Sequence, residues 1–347
     1  MRLPSVDKER LLNVPHASGL LGLWRRAALP ADVALKRLGL TPRLQRGALI
    51  LLFHRIADDA DSFHHCMPVA LFDALCAHLR RHYQVVPLDE LVTAVGQGRL
   101  PAGMVALTFD DGYADSYRLA LPVRRRHGLP ATVFITTGAI GHQQPLWFSR
   151  LAAMLSQTAQ STVPPSRGVA LGLTSTTERI ATYCELSEHL KRLGSHEREA
   201  WLQELSDLLG VKDFSGLRDE MVTWDELREM DAAGFRAGAH TVSHPILSHC
   251  TEDELREELT TSKAQLEREL GRAVDLFAYP NGRSDDFNAA VVAAVAAAGY
   301  RAACTTVFGA NGPLEHPYRL RRVILYGATL PPLALQLERF FYTTHRR

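Results

Sequence analysis

Short apolar runs rich in β-forming residues recur along the chain from residue 48 onward, at 48–53 (ALILLF), 84–88, 104–109 (MVALTF), 131–135 (ATVFI), 235–239 (FRAGA), 275–279, 301–305 and 320–325. Their length suits buried strands better than buried helices. Between them, residues 69–82, 251–270 and 286–298 carry the spacing of amphipathic helices. Strand alternating with helix is the order that builds a parallel sheet, and about eight such strands closing on themselves predict an α/β chain folded as a (β/α) barrel. The alternation breaks between 141 and 222, where Ser/Thr-rich sequence and helical stretches at 185–193 and 196–209 show no strand pattern. This predicts a helical insertion in a barrel domain of residues 48–347, lying over or beside the strand-end face and acting as a cap on the substrate groove.

Composition narrows the classes. A chain of 347 residues with 46% hydrophobic and 22% charged residues can bury a large core, and a formal net charge of +1 supplies no field for gripping nucleic acid. The five cysteines are scattered and never spaced as CxxC, which favours neither a disulfide framework nor a thiolate metal site and fits a reduced, cytoplasmic setting. No run of 18 or more apolar residues reads as a membrane span, and GLLGLW is followed by Arg25 and Arg26, the wrong polarity for a signal peptide. Residues 1–47 hold nine Lys or Arg against three Asp or Glu, a local balance of +6. With Leu20, Leu21, Leu23 and Trp24 beside that charge, the segment has two readings: peripheral contact with the inner, anionic face of a membrane, or a helix packed on its own domain with a solvated basic face. Nothing in the sequence sets an oligomeric state.

Candidate chemistry clusters at predicted strand ends. The run 104–109 leads straight into Asp110, Asp111 and Gly112. Successive strand side chains face opposite ways, so two adjacent carboxylates there need separate roles, although an Asx-type turn explains one of them. The run 235–239 ends in His240, with His244 four residues on. That spacing predicts one helical turn presenting both imidazoles to a single ion. One carboxylate with two neutral imidazoles is a common ligand set that leaves positions open for water and substrate. His54 ends the first run, where a satisfied core histidine is the competing reading.

TFDDG at 108–112 together with HTVSH at 240–244 resembles the polysaccharide deacetylases, carbohydrate esterase family four, with the NodB-homology domain. FAYPNG at 277–282 and TWDELREM from Thr223 extend the resemblance over roughly residues 48–326. It implies a distorted (β/α) barrel and a metal-dependent hydrolase that removes N-acetyl groups from amino sugars in a polysaccharide, a lipid-linked or a nucleotide-linked glycan. By motif, Asp110 is then the general base and Asp111, His240 and His244 hold one divalent metal. Zinc is the first expectation from the donor types, and iron, cobalt, nickel and manganese are compatible with them.

Two departures stand out. The Arg that orients the base in the family's third motif falls at Ala278, with Asn281 in place of the usual aromatic. The late motif that supplies an acid histidine is missing from RRVILYG at 321–327, where Tyr326 stands in place of an imidazole. A circularly permuted subgroup, which includes the biofilm poly-N-acetylglucosamine deacetylases, carries that histidine on its first strand, and LLFHRI at 51–56 resembles its opening motif. On this resemblance His54 is the proton donor. Tyr113, Trp147, Tyr279 and Asn281 are candidate sugar contacts, with core packing an equal reading for Tyr113 and Trp147. His64, His65 and His249 are expected to be solvated or to touch substrate. Hydrolysis of another amide on the same fold and a catalytically silent carbohydrate-binding barrel are the competing functions; Asp110 argues against silence, because a binding module has no use for a second carboxylate beside the ligand.

Overall fold

The computed structural model describes residues 47–58, 63, 66–141, 145–163 and 171–341. The basic N-terminal segment, His64 and His65 lie outside the described residues. Eight parallel strands form one sheet: β1 (Ala48–Phe53), β2 (Gln84–Val85), β3 (Met104–Phe109), β4 (Ala131–Ile135), β5 (Phe235–Ala239), β6 (Leu276–Ala278), β7 (Ala302–Phe308) and β8 (Leu320–Arg322). The sheet runs β1-β3-β4-β5-β6-β7-β8, with β2 on the first half of β3. It closes on itself just past β8, where Val323 donates to the Ile50 carbonyl at 2.9 Å and accepts from the Leu52 N–H at 3.0 Å. The result is the (β/α) barrel that the strand–helix alternation predicts.

Alternation along each strand sorts the side chains. Leu49, Leu51, Phe53, Val105, Leu107 and Phe109 face outward and pack with the surrounding helices. Ala48, Ile50, Met104, Ala106, Phe134, Ala278, Cys304 and Leu320 share an inner cluster with Leu88, Leu91 and Val95 near the strand starts. Strands buried on both faces read as the continuous apolar runs seen in the sequence.

The helices are α1 (Val69–His82), α2 (Leu88–Gly96), α3 (Leu121–His127), α4 (Trp147–Gln157), α5 (Thr176–Leu190), α6 (Ser195–Leu209), α7 (Trp224–Ala232), α8 (Glu252–Leu270), α9 (Ala289–Ala297) and α10 (Leu330–Phe341). Capping boxes at Thr223/Glu226 and Thr251/Glu254 fix where α7 and α8 begin. The expected strand 84–88 is cut to two residues because Pro87 lacks an N–H for the ladder and starts α2 instead. Between 141 and 222 the chain forms α4, α5, α6 and a small antiparallel pair, Thr162–Val163 with Leu171–Gly172, which the strand pattern did not foretell. These elements bury a cluster of their own, including Leu151, Leu155, Leu190, Trp201, Leu202 and Leu205.

Candidate active site

The strands deliver their C-terminal residues to one face of the barrel. Pairing of β1 with β3 runs in register from Ala48↔Met104 to Phe53↔Phe109, so His54 and Asp110 leave the two strands at the same level. Asp110 has the inward parity of Met104 and Ala106, and His54 that of Ala48 and Ile50. Past Asp110 the chain turns through positive φ at Asp111 (74°) and Gly112 (93°). A Cβ on Gly112 would stand 3.0 Å from Ile135 Cδ1, so this turn needs glycine.

Asp110 is buried and accepts two hydrogen bonds from Arg322, Nη1 to Oδ1 at 2.6 Å and Nη2 to Oδ2 at 2.7 Å. Arg322, at the end of β8, is itself buried; its Nε donates to the Thr305 carbonyl at 2.8 Å. Burial alone would raise the Asp110 carboxyl, but the Arg322 charge outweighs it and holds the group below the usual carboxylate range. His54 is half-buried and follows directly on β1, level with Asp110 on the neighbouring strand.

Sequence reasoning missed Arg322. Ala278, where the resemblance puts the third-motif position, is a residue of the inner cluster, and the guanidinium that meets Asp110 comes from the last strand. The available signal was parity: in a strand where Leu320 faces inward, Arg322 must as well, and an inward arginine needs an inward carboxylate.

Asp111, His240 and His244 form a second group, the one set of His, Cys, Asp or Glu side chains among the described residues arranged to hold a metal ion, with ligand atoms all within 4.8 Å of one another. Asp111 Oδ1 lies 3.5 Å from His240 Nε2 and 3.4 Å from His244 Nε2, and has no hydrogen-bond partner among the described residues. A buried carboxylate oxygen left without a partner is costly unless a cation completes it. His240 Nδ1 sits 2.7 Å from the Ala278 carbonyl, which can only accept, so Nδ1 carries the proton and Nε2 offers its lone pair. Burial pushes the His240 imidazole down to about 4, which keeps it neutral. The three residues therefore fit a divalent cation.

The expected helical turn at 240–244 is corrected. The segment after β5 is an irregular loop, with Thr241 at φ 68° and His244 at φ 57°. Left-handed backbone at a β-branched residue is uncommon and is held here from outside. The Glu258 carboxylate of α8 accepts from the Val242 and Ser243 N–H groups at 2.7 and 3.0 Å and from the Ser243 hydroxyl, and Thr241 Oγ1 accepts from the His244 N–H at 3.1 Å. The turn brings the two imidazole centroids to 5.0 Å.

Of the expected sugar contacts, Tyr113, Trp147 and Tyr279 are buried and Asn281 is half-buried. The Tyr113 ring lies under Arg55, whose guanidinium is 4.9 Å away, and its hydroxyl is 3.5 Å from Ser149 Oγ. Tyr279 stacks on Phe287 and donates its hydroxyl to the Tyr318 carbonyl at 3.0 Å. Trp147 is buried and donates its Nε1–H to the His244 carbonyl at 3.2 Å. Asn281, at φ 58°, donates to Asp286 and accepts from Thr306. With faces packed and polar ends engaged, the three aromatic rings offer no open stacking surface. His249 Nδ1 lies 2.8 Å from the Lys191 carbonyl, linking the loop after β5 to the insertion.

Comparison with known proteins agrees with this fold. A family model described as polysaccharide deacetylase matches residues 97–303. YxkH of Bacillus subtilis, a protein assigned to the polysaccharide deacetylases, is 22% identical over 276 residues, 79% of this chain and 70% of its own. Among solved structures, the deacetylase PplD of Streptococcus pyogenes (TM-score 0.55, 21% identity) and IcaB from Ammonifex degensii (TM-score 0.56, 19% identity) share the fold, each over 84% of this chain and 97% of theirs. The chain belongs to the polysaccharide deacetylase family and is a carbohydrate deacetylase.

Proposed function

We propose that the protein hydrolyses the N-acetyl group of an amino sugar within a polysaccharide, a lipid-linked or a nucleotide-linked glycan, using one divalent cation held by Asp111, His240 and His244. The observation that carries this reading is the division of labour between neighbours: Asp110 is bound by Arg322 and the adjacent Asp111 is left for a cation. When bound, a cation of this kind polarises the acetyl carbonyl and acidifies the attacking water. Each Asp110 oxygen accepts one Arg322 hydrogen bond and keeps a further lone pair, so the carboxylate stays ionised and still takes a proton from that water. His54, on the neighbouring strand, donates a proton to the nitrogen as the C–N bond breaks, so the sugar leaves as an amine instead of an unstable anion. Zinc is the first choice for one carboxylate and two imidazoles.

The reading predicts one divalent ion per chain in wild-type protein. His240→Ala/His244→Ala protein is expected to lose that ion and all measurable acetate release; elemental analysis showing undiminished metal in the double variant overturns the assignment.

A further inference from the structure

The two imidazoles of the ligand group are supported differently. His240 is oriented by the barrel itself, through the Ala278 carbonyl on its Nδ1. His244 Nδ1 is buried and has no hydrogen-bond partner among the described residues, so nothing of that kind fixes its ring. Its backbone is in the left-handed region, φ 57°, a conformation that persists only where the surroundings impose it.

Beyond the Glu258 and Thr241 contacts to its loop, His244 is held by the insertion. Trp147, the first residue of α4, donates its indole N–H to the His244 carbonyl at 3.2 Å. Phe148, the next residue, sets its ring edge-on to the imidazole with centroids 5.1 Å apart. Arg198 of α6 stands over the Trp147 ring, guanidinium to centroid 5.1 Å, and is itself buried. One arm of the insertion thus holds the carbonyl and ring of His244, and a second arm braces the first.

We infer that Trp147 and Phe148 are positioning residues for His244, taking the place of the missing hydrogen bond on Nδ1, so that the insertion sets the affinity and geometry of the metal site. The inference rests on the ligand set proposed above and adds to it a role for the insertion. Outer supports of a metal-bound imidazole are typically worth about ten- to a hundredfold in affinity.

Trp147→Phe keeps an aromatic ring and removes the N–H, and Phe148→Leu keeps the bulk and removes the ring edge. Zinc affinity, measured by competition with a chromophoric chelator, is expected to fall about tenfold or more in each variant. The visible absorption of the cobalt-substituted protein is expected to shift, while the chelator-treated variants melt close to wild type. Wild-type affinity and an unaltered cobalt spectrum in both variants, with only the melting temperature lowered, would make the contacts merely structural and overturn the inference. His244→Ala separates the two levels. If it loses zinc while Trp147→Phe and Phe148→Leu keep it, the positioning role alone fails; if it binds zinc as wild type does, the ligand set fails and the inference falls with it.

Discussion

Arg322→Met is expected to destabilise the protein by about 3–5 kcal/mol and to remove turnover, the largest combined effect of any substitution outside the ligand group. Arg322 and Asp110 are both buried and joined by two hydrogen bonds, so loss of the guanidinium leaves an uncompensated carboxylate inside the barrel. Asp110 would then take up a proton and cease to act as a base. Arg322→Met/Asp110→Asn is expected to regain much of the stability, because no buried charge remains, while staying inactive. The pair also gives stability a pH dependence of known sign. Because the folded Asp110 pKa is depressed, the pair's contribution is complete above the unfolded carboxylate value of about 3.9 and drains away as pH falls through the folded value. Acid unfolding of the two variants should lack that part of the slope. Chemical denaturation showing Arg322→Met as stable as wild type would refute the electrostatic account of the pair.

His54→Ala is expected to lower kcat by about 10²- to 10⁴-fold while metal content stays at wild type, the signature of a lost general acid. His54 leaves β1 at the level where Asp110 leaves β3, which is the placement the proposed proton donor requires. A packing histidine would behave in the opposite way: its removal would open a cavity and lower the melting temperature while folded protein kept its turnover. Steady-state kinetics beside thermal melts of the same preparation distinguish the two.

The parts of the fold readable in advance were those fixed by local pattern. ALILLF, MVALTF and ATVFI became β1, β3 and β4 at the expected residues, and α1 spans 69–82 as its apolar spacing requires. The strand-end carboxylates and imidazoles were legible because each motif is contiguous. Arg322 was not, since its meeting with Asp110 spans 212 residues and exists only once β8 closes on β1. The left-handed φ at Thr241 and His244 runs against the preferences of those residue types, and its cause, Glu258, lies a helix away. Trp147 stands in an insertion where an aromatic reads equally as sugar contact or core; its actual bond is to the loop bearing His244. Strain of this kind, imposed from distant elements, is what local sequence cannot encode and what functional sites commonly contain.

The proposed function, metal-dependent N-deacetylation with Asp110 as the base, predicts a specific pattern of acetate release. Its most direct test is acetate release from N-acetylglucosamine oligomers, lipid-linked sugars and nucleotide sugars, comparing metal-stripped, zinc-restored and zinc-loaded Asp110→Asn protein. At least one substrate is expected to yield one acetate per free amine with restored enzyme, none with stripped enzyme, and about 10²- to 10⁴-fold less with Asp110→Asn. Acetate released equally by the stripped protein or by Asp110→Asn, or by none of the three from any of these substrates, would contradict it.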